Sequence, residues 1–251
     1  MMGYTHAVVG AAGALTTAAI IGDSTPELYM VAVVSGALGG VTIDIDAKDN
    51  FKNPKVTDAG RTRLAVLGLI GLGILLDYIF KFGGLHSIVL KQYYALGGTA
   101  VFLVVMAIGF LSEHRTFSHS LLFVFLSATC VYCVFPEATL YYSIGCILHL
   151  LLDMLNNAFN GHGVWLLYPL KTGKGIAFGW CKAGRSANKV FYFIGLSLFI
   201  ASSIYFIYMI RNLKDSVCPM IIAAYMIVVM HFVRVKSERE QRHIMHIRGE
   251  L

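Results

Sequence analysis

Charged side chains are scarce in this sequence. Asp, Glu, Lys and Arg make up 14% of its 251 residues, against about 25% in an ordinary soluble domain. Also missing are an internal repeat, a low-complexity tract and a polar stretch long enough to fold as a separate soluble domain. The N-terminus, Met1-Met2-Gly3-Tyr4-Thr5-His6, has no basic region of the secretory-signal kind, so the first apolar segment is expected to be retained. Cysteine offers no disulfide framework. Cys130, Cys133, Cys146, Cys181 and Cys218 lie mostly inside apolar runs, where thiols pack as small hydrophobes, and the CxxC spacing of Cys130 and Cys133 is read the same way.

What is present in excess is apolar sequence. Hydrophobic residues account for 57% of the chain and the mean hydropathy is +0.69, concentrated in long runs rather than at amphipathic spacing. This predicts an all-α, polytopic membrane helix bundle of about eight spans. The apolar segments fall near 7–22, 29–45, 64–80, 93–111, 119–135, 139–158, 190–210 and 217–235. The first two are rich in Ala and Gly, with Gly36 and Gly40 at GxxxG spacing, which lets helix backbones approach closely.

Lys and Arg set the orientation. With the N-terminus inside, the loops at 46–63, 112–118 and 160–189 and the tail from Arg234 hold 16 of the 20 basic residues, so both termini are expected in the cytoplasm. Residues 1–235 then form the integral membrane domain and 236–251 a basic cytoplasmic tail beside anionic lipid. A nucleic-acid partner is not expected, because the basic residues lack aromatic interleaving or a recognisable motif.

Against this background the polar octapeptide Glu113-His114-Arg115-Thr116-Phe117-Ser118-His119-Ser120 stands out between two apolar segments. On the predicted topology, His6, Asp44, Asp46, His114, His119, His149 and Asp153 all fall at or below one membrane surface. His149 and Asp153 are four residues apart, so on a helix they lie about 40° from each other on one face. Asp44 and Asp46 can act together only if the end of the second segment unwinds. Thr116 or Ser118 is the expected N-cap of the fifth segment. Intramembrane His and Asp are costly unless paired, and neutral imidazole with carboxylate is a ligand set for divalent metal ions, so these seven residues are expected to supply ligands to one or two of them. The absence of thiolate points to zinc or manganese. A metal-bound water would then be the nucleophile, with one of Asp44 and Asp46 as ligand and the other orienting it or taking its proton. Arg115 would hold the oxygen on which negative charge develops, with Ser118 or His119 the next candidate for that role. His162 is close enough in sequence to join the site, and Asn156 and Asn157 are candidates to support the ligands or touch the substrate.

The order His6, Asp44-Ile45-Asp46, His114-Arg115-Thr116-Phe117-Ser118-His119-Ser120, His149-x3-Asp153 and Gly163-Val164-Trp165-Leu166-Leu167-Tyr168-Pro169 resembles the YdjM-like family of bacterial inner-membrane proteins. That family is described as LexA-regulated, metal-dependent hydrolases. The resemblance covers about residues 5 to 190. It implies a multi-pass plasma-membrane protein, a place in the SOS response and a hydrolase site at these His and Asp positions. The chain departs from the family pattern at Ile43, where a proline is usual, and at Asn188, where a glutamate is common. More distantly, the residue order is similar to that of zinc-dependent phospholipases C and nucleases, which implies a phosphoester substrate. Because the site is expected to open where acyl chains meet head groups on the cytoplasmic leaflet, the expected substrate is a lipid-like or membrane-proximal ester, with the Arg115 guanidinium favouring a phosphoester. Two other function classes compete: an ion- or proton-coupled transporter, which calls for a mid-membrane site between repeats, and a non-catalytic stress-induced membrane protein, for which Ile43 and Asn188 speak.

Overall fold

The computed structural model describes residues 1–21, 24–47, 57–81, 92–156, 163–170, 175–181, 186–210 and 212–247. Among them are eight α-helices: α1 (Gly3–Ile21), α2 (Pro26–Thr42), α3 (Thr57–Phe80), α4 (Gln92–Leu111), α5 (Leu121–Val134), α6 (Thr139–Leu155), α7 (Ser186–Ile210) and α8 (Leu213–Ile247). Seven of these regions are long and apolar enough to cross a membrane, and α5, at 14 residues, is the short one. Asn157 and His162 lie outside the described residues.

The three least apolar spans, α1, α2 and α6, are the most buried, while the more apolar α3, α4, α7 and α8 expose larger shares of their surface. In lipid no hydrophobic force favours one apolar helix surface over another, so the centre goes to helices whose small residues permit close contact. On α2, Gly36 and Gly40 face α1, and Gly39 faces α6. A Cβ at Gly40 would meet the carbonyl oxygen of His6, one at Gly36 the carbonyl oxygen of Gly10, and one at Gly39 the carbonyl oxygen of Tyr142. Gly145 of α6 approaches Gly36 and Gly40 in return. The GxxxG spacing thus locks α1, α2 and α6 backbone to backbone.

Polar side chains tie α7 to this core. Tyr29 pairs with Ser203 at 2.8 Å and Thr16 with Ser202 at 2.9 Å. Such bonds contribute on the order of 0.6–2 kcal/mol each within a bilayer. Helix α3 packs on α8, and Arg61 makes a bidentate pair with Glu240 at 2.7 and 2.5 Å. The polar end of α8 therefore continues as helix to Ile247 and rests on α3, and Gln241 also reaches Met2. Helices α4 and α5 form a hairpin, attached through a second apolar cluster that includes Ile43, Phe117, Phe123, Tyr142 and Leu150.

Helix ends set the height of each site residue. Thr25 caps α2 by accepting from the Leu28 amide at 3.2 Å, with Pro26 in the first turn. At its other end α2 gives way to a 3-10 turn over Ile43–Asp46, where Asp44 is non-helical at φ −77°, ψ 19°. The expected unwinding is present. The N-cap of α5, however, is Ser120, which accepts from the Phe123 amide at 3.1 Å, rather than Thr116 or Ser118. Those two hydroxyls are engaged elsewhere: Thr116 donates to the Glu113 carbonyl, and Ser118 belongs to the polar cluster.

Candidate metal centre

The start of α1, the turn after α2, the α4–α5 loop and the last turns of α6 meet at one end of the bundle. They bring together Asp44, His119, His149 and Asp153, whose ligand-type atoms all lie within 4.8 Å of one another. His119 Nε2 is 3.6 Å from Asp44 Oδ1 and 3.3 Å from Asp153 Oδ2. His149 Nε2 is 3.5 Å from each of the same two oxygens. A tetrahedron with bonds of about 2.0–2.1 Å has edges of about 3.3–3.4 Å, so the four measured separations match the edges of one four-coordinate site.

Hydrogen bonds assign the tautomers. His149 Nδ1 lies 2.7 Å from the Gly40 carbonyl oxygen, which can only accept, so Nδ1 carries the proton and Nε2 presents a lone pair. Ser118 donates its hydroxyl proton to Asp46 Oδ2 at 2.6 Å, so its oxygen accepts from His119 Nδ1 at 2.9 Å. His119 thus carries a proton on Nδ1 as well, which leaves Nε2 of both rings turned to the carboxylates. Neither Nε2 has a hydrogen-bond partner although both are buried. Two imidazole nitrogens therefore face two carboxylate oxygens without a hydrogen bond between them. Left so, buried polar atoms cost energy, and a proton or a metal cation among the four atoms relieves it. Two neutral imidazoles, two carboxylates and one dication also sum to zero charge, which suits a low-dielectric interior. Burial alone would lower the His119 pKa, but Asp46 most strongly, then Asp153 and Asp44, hold it well above 6.5. The pocket demands positive charge at that imidazole.

The remaining expected residues lie against these four. Asp46 uses both oxygens on protein donors: Oδ1 is 2.9 Å from His114 Nδ1, while Oδ2 accepts from the Arg115 amide at 3.1 Å and from Ser118, and lies 3.3 Å from His119 Nδ1. Asp44 and Asp46 therefore address opposite nitrogens of the same His119 ring. Asp46 and His114 also form, with Asp44 and His119, a second grouping of ligand-type atoms within 4.8 Å. His6 stacks on His149 with ring centroids 3.7 Å apart, and its Nε2 is 3.3 Å from Asp153 Oδ1, the oxygen turned away from His119 and His149. That oxygen also lies 2.7 Å from the Met1 amino nitrogen and 3.4 Å from Asn156 Nδ2. Arg115 is buried and its backbone is left-handed at φ 69°. Its amide reaches Asp46 and its carbonyl accepts from Trp165 at 3.2 Å. The side chains of Asp44 and His114, 14% and 27% exposed, form the open edge of an otherwise enclosed cluster.

Three supporting roles escaped sequence reasoning. Gly40 was legible as a packing glycine, but nothing in the sequence marks its carbonyl as the acceptor for His149. Arg63 of α3 donates to the carbonyl oxygens of Asp44 and, at 3.0 Å, of Ala47, clamping the turn that carries both aspartates. Asn188 accepts from the Met2 amide at 2.9 Å and from Thr5 at 3.1 Å and donates to Tyr4 at 2.8 Å. It fastens the start of α1 to α7, and the four-atom set is complete without a carboxylate there. An apolar cavity of about 390 Å³ lies among α2 to α6, but none of the candidate ligands lines it.

Fold and cluster together define a polytopic helical membrane protein with a buried His/Asp cluster that could hold a metal ion where helix ends converge. The chain belongs to the YdjM inner membrane protein family, whose model matches residues 1–237. It is accordingly a multi-pass inner-membrane protein. Comparison with curated proteins and with solved structures gives no match.

Proposed function

We propose that Asp44, His119, His149 and Asp153 bind one divalent cation, zinc or manganese, and that this centre hydrolyses a lipid-like or membrane-proximal ester, with phosphoesters favoured. The carrying observation is the pair of buried Nε2 atoms that face two carboxylate oxygens at 3.3–3.6 Å without a hydrogen bond. A dication held there supplies Lewis acidity toward a carbonyl or phosphoryl oxygen and lowers the pKa of water. The chain's own residues prepare the place for it. Gly40 and Ser118 keep the two imidazoles in the ligating tautomer, Asp46 raises the basicity of His119 through its Nδ1 side, and Arg63 holds the aspartate turn. Arg115, a fork of donors in a buried setting, is assigned to the substrate oxyanion. The position of the cluster at helix ends, rather than in broken mid-membrane helices, favours this reading over transport.

The test uses purified protein in nanodiscs, stripped of metal and supplied with an activated phosphodiester. Zinc or manganese should restore turnover in the wild type and fail to do so in His149→Ala and Asp153→Asn. If the ion binds with full occupancy but no ester class is turned over above the level of those variants, the hydrolase assignment falls and the metal centre stands. Both termini are assigned to the cytoplasm on the distribution of basic residues. Reporter fusions after Pro136 and after Leu251 should report opposite sides, and the same side for both would overturn the eight-span count.

A further inference from the structure

The segment between α6 and α7 carries no function in the account above, yet it has two unusual properties. The first is that its backbone is pinned at the level of the metal centre. Phe178 and Cys181 donate to the carbonyls of Met154 and Leu155, at 2.7 and 3.1 Å, directly after Asp153. Val164 and Ile176 exchange reciprocal bonds at 2.9 Å, and the Leu166 carbonyl accepts from Leu121 at the start of α5. The second is that large apolar side chains stand outward from it. Leu170 is 92% and Trp180 77% exposed, with Leu167, Ile176 and Phe178 also exposed. Phe178 and Trp180 lie side by side with ring centroids 5.6 Å apart.

In water such a patch is a liability. At the boundary between head groups and acyl chains, Trp, Phe and Leu are the favoured residues, while irregular backbone cannot go deeper into hydrocarbon. The segment is pinned where α5 begins and α6 ends, and it is at the ends of membrane-spanning helices that such a boundary falls. Charge specifies the lipid: from Gly163 to Arg185 the sequence has no Asp or Glu and carries Lys171, Lys174, Lys182 and Arg185, four basic residues that lie outside the described ones. We infer that this segment docks into the interface of the leaflet on the side of the metal centre, anchored by Leu170, Phe178 and Trp180, with an anionic phospholipid surface as its partner. This goes beyond the hydrolase reading and stands whether or not the centre binds an ion.

The chain has two tryptophans, Trp165 and Trp180, so Trp165→Phe leaves Trp180 as the reporter. Full-length protein would be placed in nanodiscs containing lipids brominated either near the glycerol end or near the chain terminus. Trp180 should be quenched at least about twofold more by the shallow bromines, be poorly reached by acrylamide, and lose both properties in Leu170→Ser/Phe178→Ser at unchanged metal content. The quenching should strengthen when phosphatidylglycerol replaces part of a zwitterionic lipid. Should Trp165→Phe fail to fold, the difference between wild type and Trp180→Phe reads the same signal. Emission typical of water with free acrylamide access overturns the docking, and equal quenching in zwitterionic and anionic discs overturns the anionic partner.

Discussion

Replacing Asp46 by Asn separates a residue that holds the ion from one that shapes its holder. In the structure Asp46 spends Oδ1 on His114 and Oδ2 on the Arg115 amide and Ser118, with His119 Nδ1 3.3 Å away. The amide is the same size and keeps one acceptor. It would place its oxygen where three donors converge and turn its NH2 toward His114, which is part-exposed. What is lost is the negative charge behind His119, and with it the basicity of Nε2. Loss of such a supporting partner lowers metal affinity by roughly 10–100-fold, or about 1.4–2.8 kcal/mol. Asp153→Asn, by contrast, alters an oxygen that faces both buried imidazole nitrogens and should abolish binding. Competition with a chromogenic chelator on detergent-solubilised protein measures both. Asp46→Asn should still reach full occupancy at high metal concentration with a weaker Kd. If it loses the ion altogether, as Asp153→Asn should, Asp46 is a ligand and the assignment of its oxygens is wrong; an unchanged Kd would show that the charge behind His119 does not matter.

Gly40→Ala puts a Cβ against the His6 backbone, where the His6 carbonyl carbon is 3.0 Å away and the oxygen nearer still. Overpacking of this kind costs about 1–3 kcal/mol, and α1 must retreat, so thermal unfolding should occur at lower temperature and metal affinity should fall with it. The ion has to displace the proton held by His119, whose pKa in the ion-free protein lies above its ordinary value, so affinity should rise with pH up to that pKa and the ion should be released on acidification. An isothermal titration series across pH that shows constant affinity would contradict this. Arg115→Lys keeps a charge but loses the planar fork, so turnover of a phosphoester should fall while metal content stays intact; wild-type turnover would remove Arg115 from the oxyanion role.

The membrane class and the helix order were legible because they depend on runs of apolar residues, which the sequence displays directly. The packing of α1, α2 and α6 was legible for a similar reason, since Gly36 and Gly40 admit close contact whatever their neighbours. Convergence of the His and Asp residues followed from alternating spans. Their division of labour did not, because it depends on which atom meets which: Asp44 and Asp46 look equivalent in Asp44-Ile45-Asp46, yet the 3-10 turn sends them to opposite nitrogens of His119. The cap of α5 was misplaced for a related reason. Thr116, Ser118 and Ser120 are all competent caps, and only the demand of Asp46 for the Ser118 hydroxyl decides among them. At Asn188 the sequence shows only the departure from a glutamate, and its part as a three-way brace on the start of α1 depends on contacts across the fold.

Elemental analysis of protein purified from metal-replete cells, for the wild type beside His149→Ala and Asp153→Asn, bears most directly on the central claim. The account predicts about one equivalent of zinc or manganese per wild-type chain, as a four-ligand site requires, and essentially none in either variant while both remain folded. A wild type free of divalent transition ions, or variants that keep the full equivalent, would contradict it.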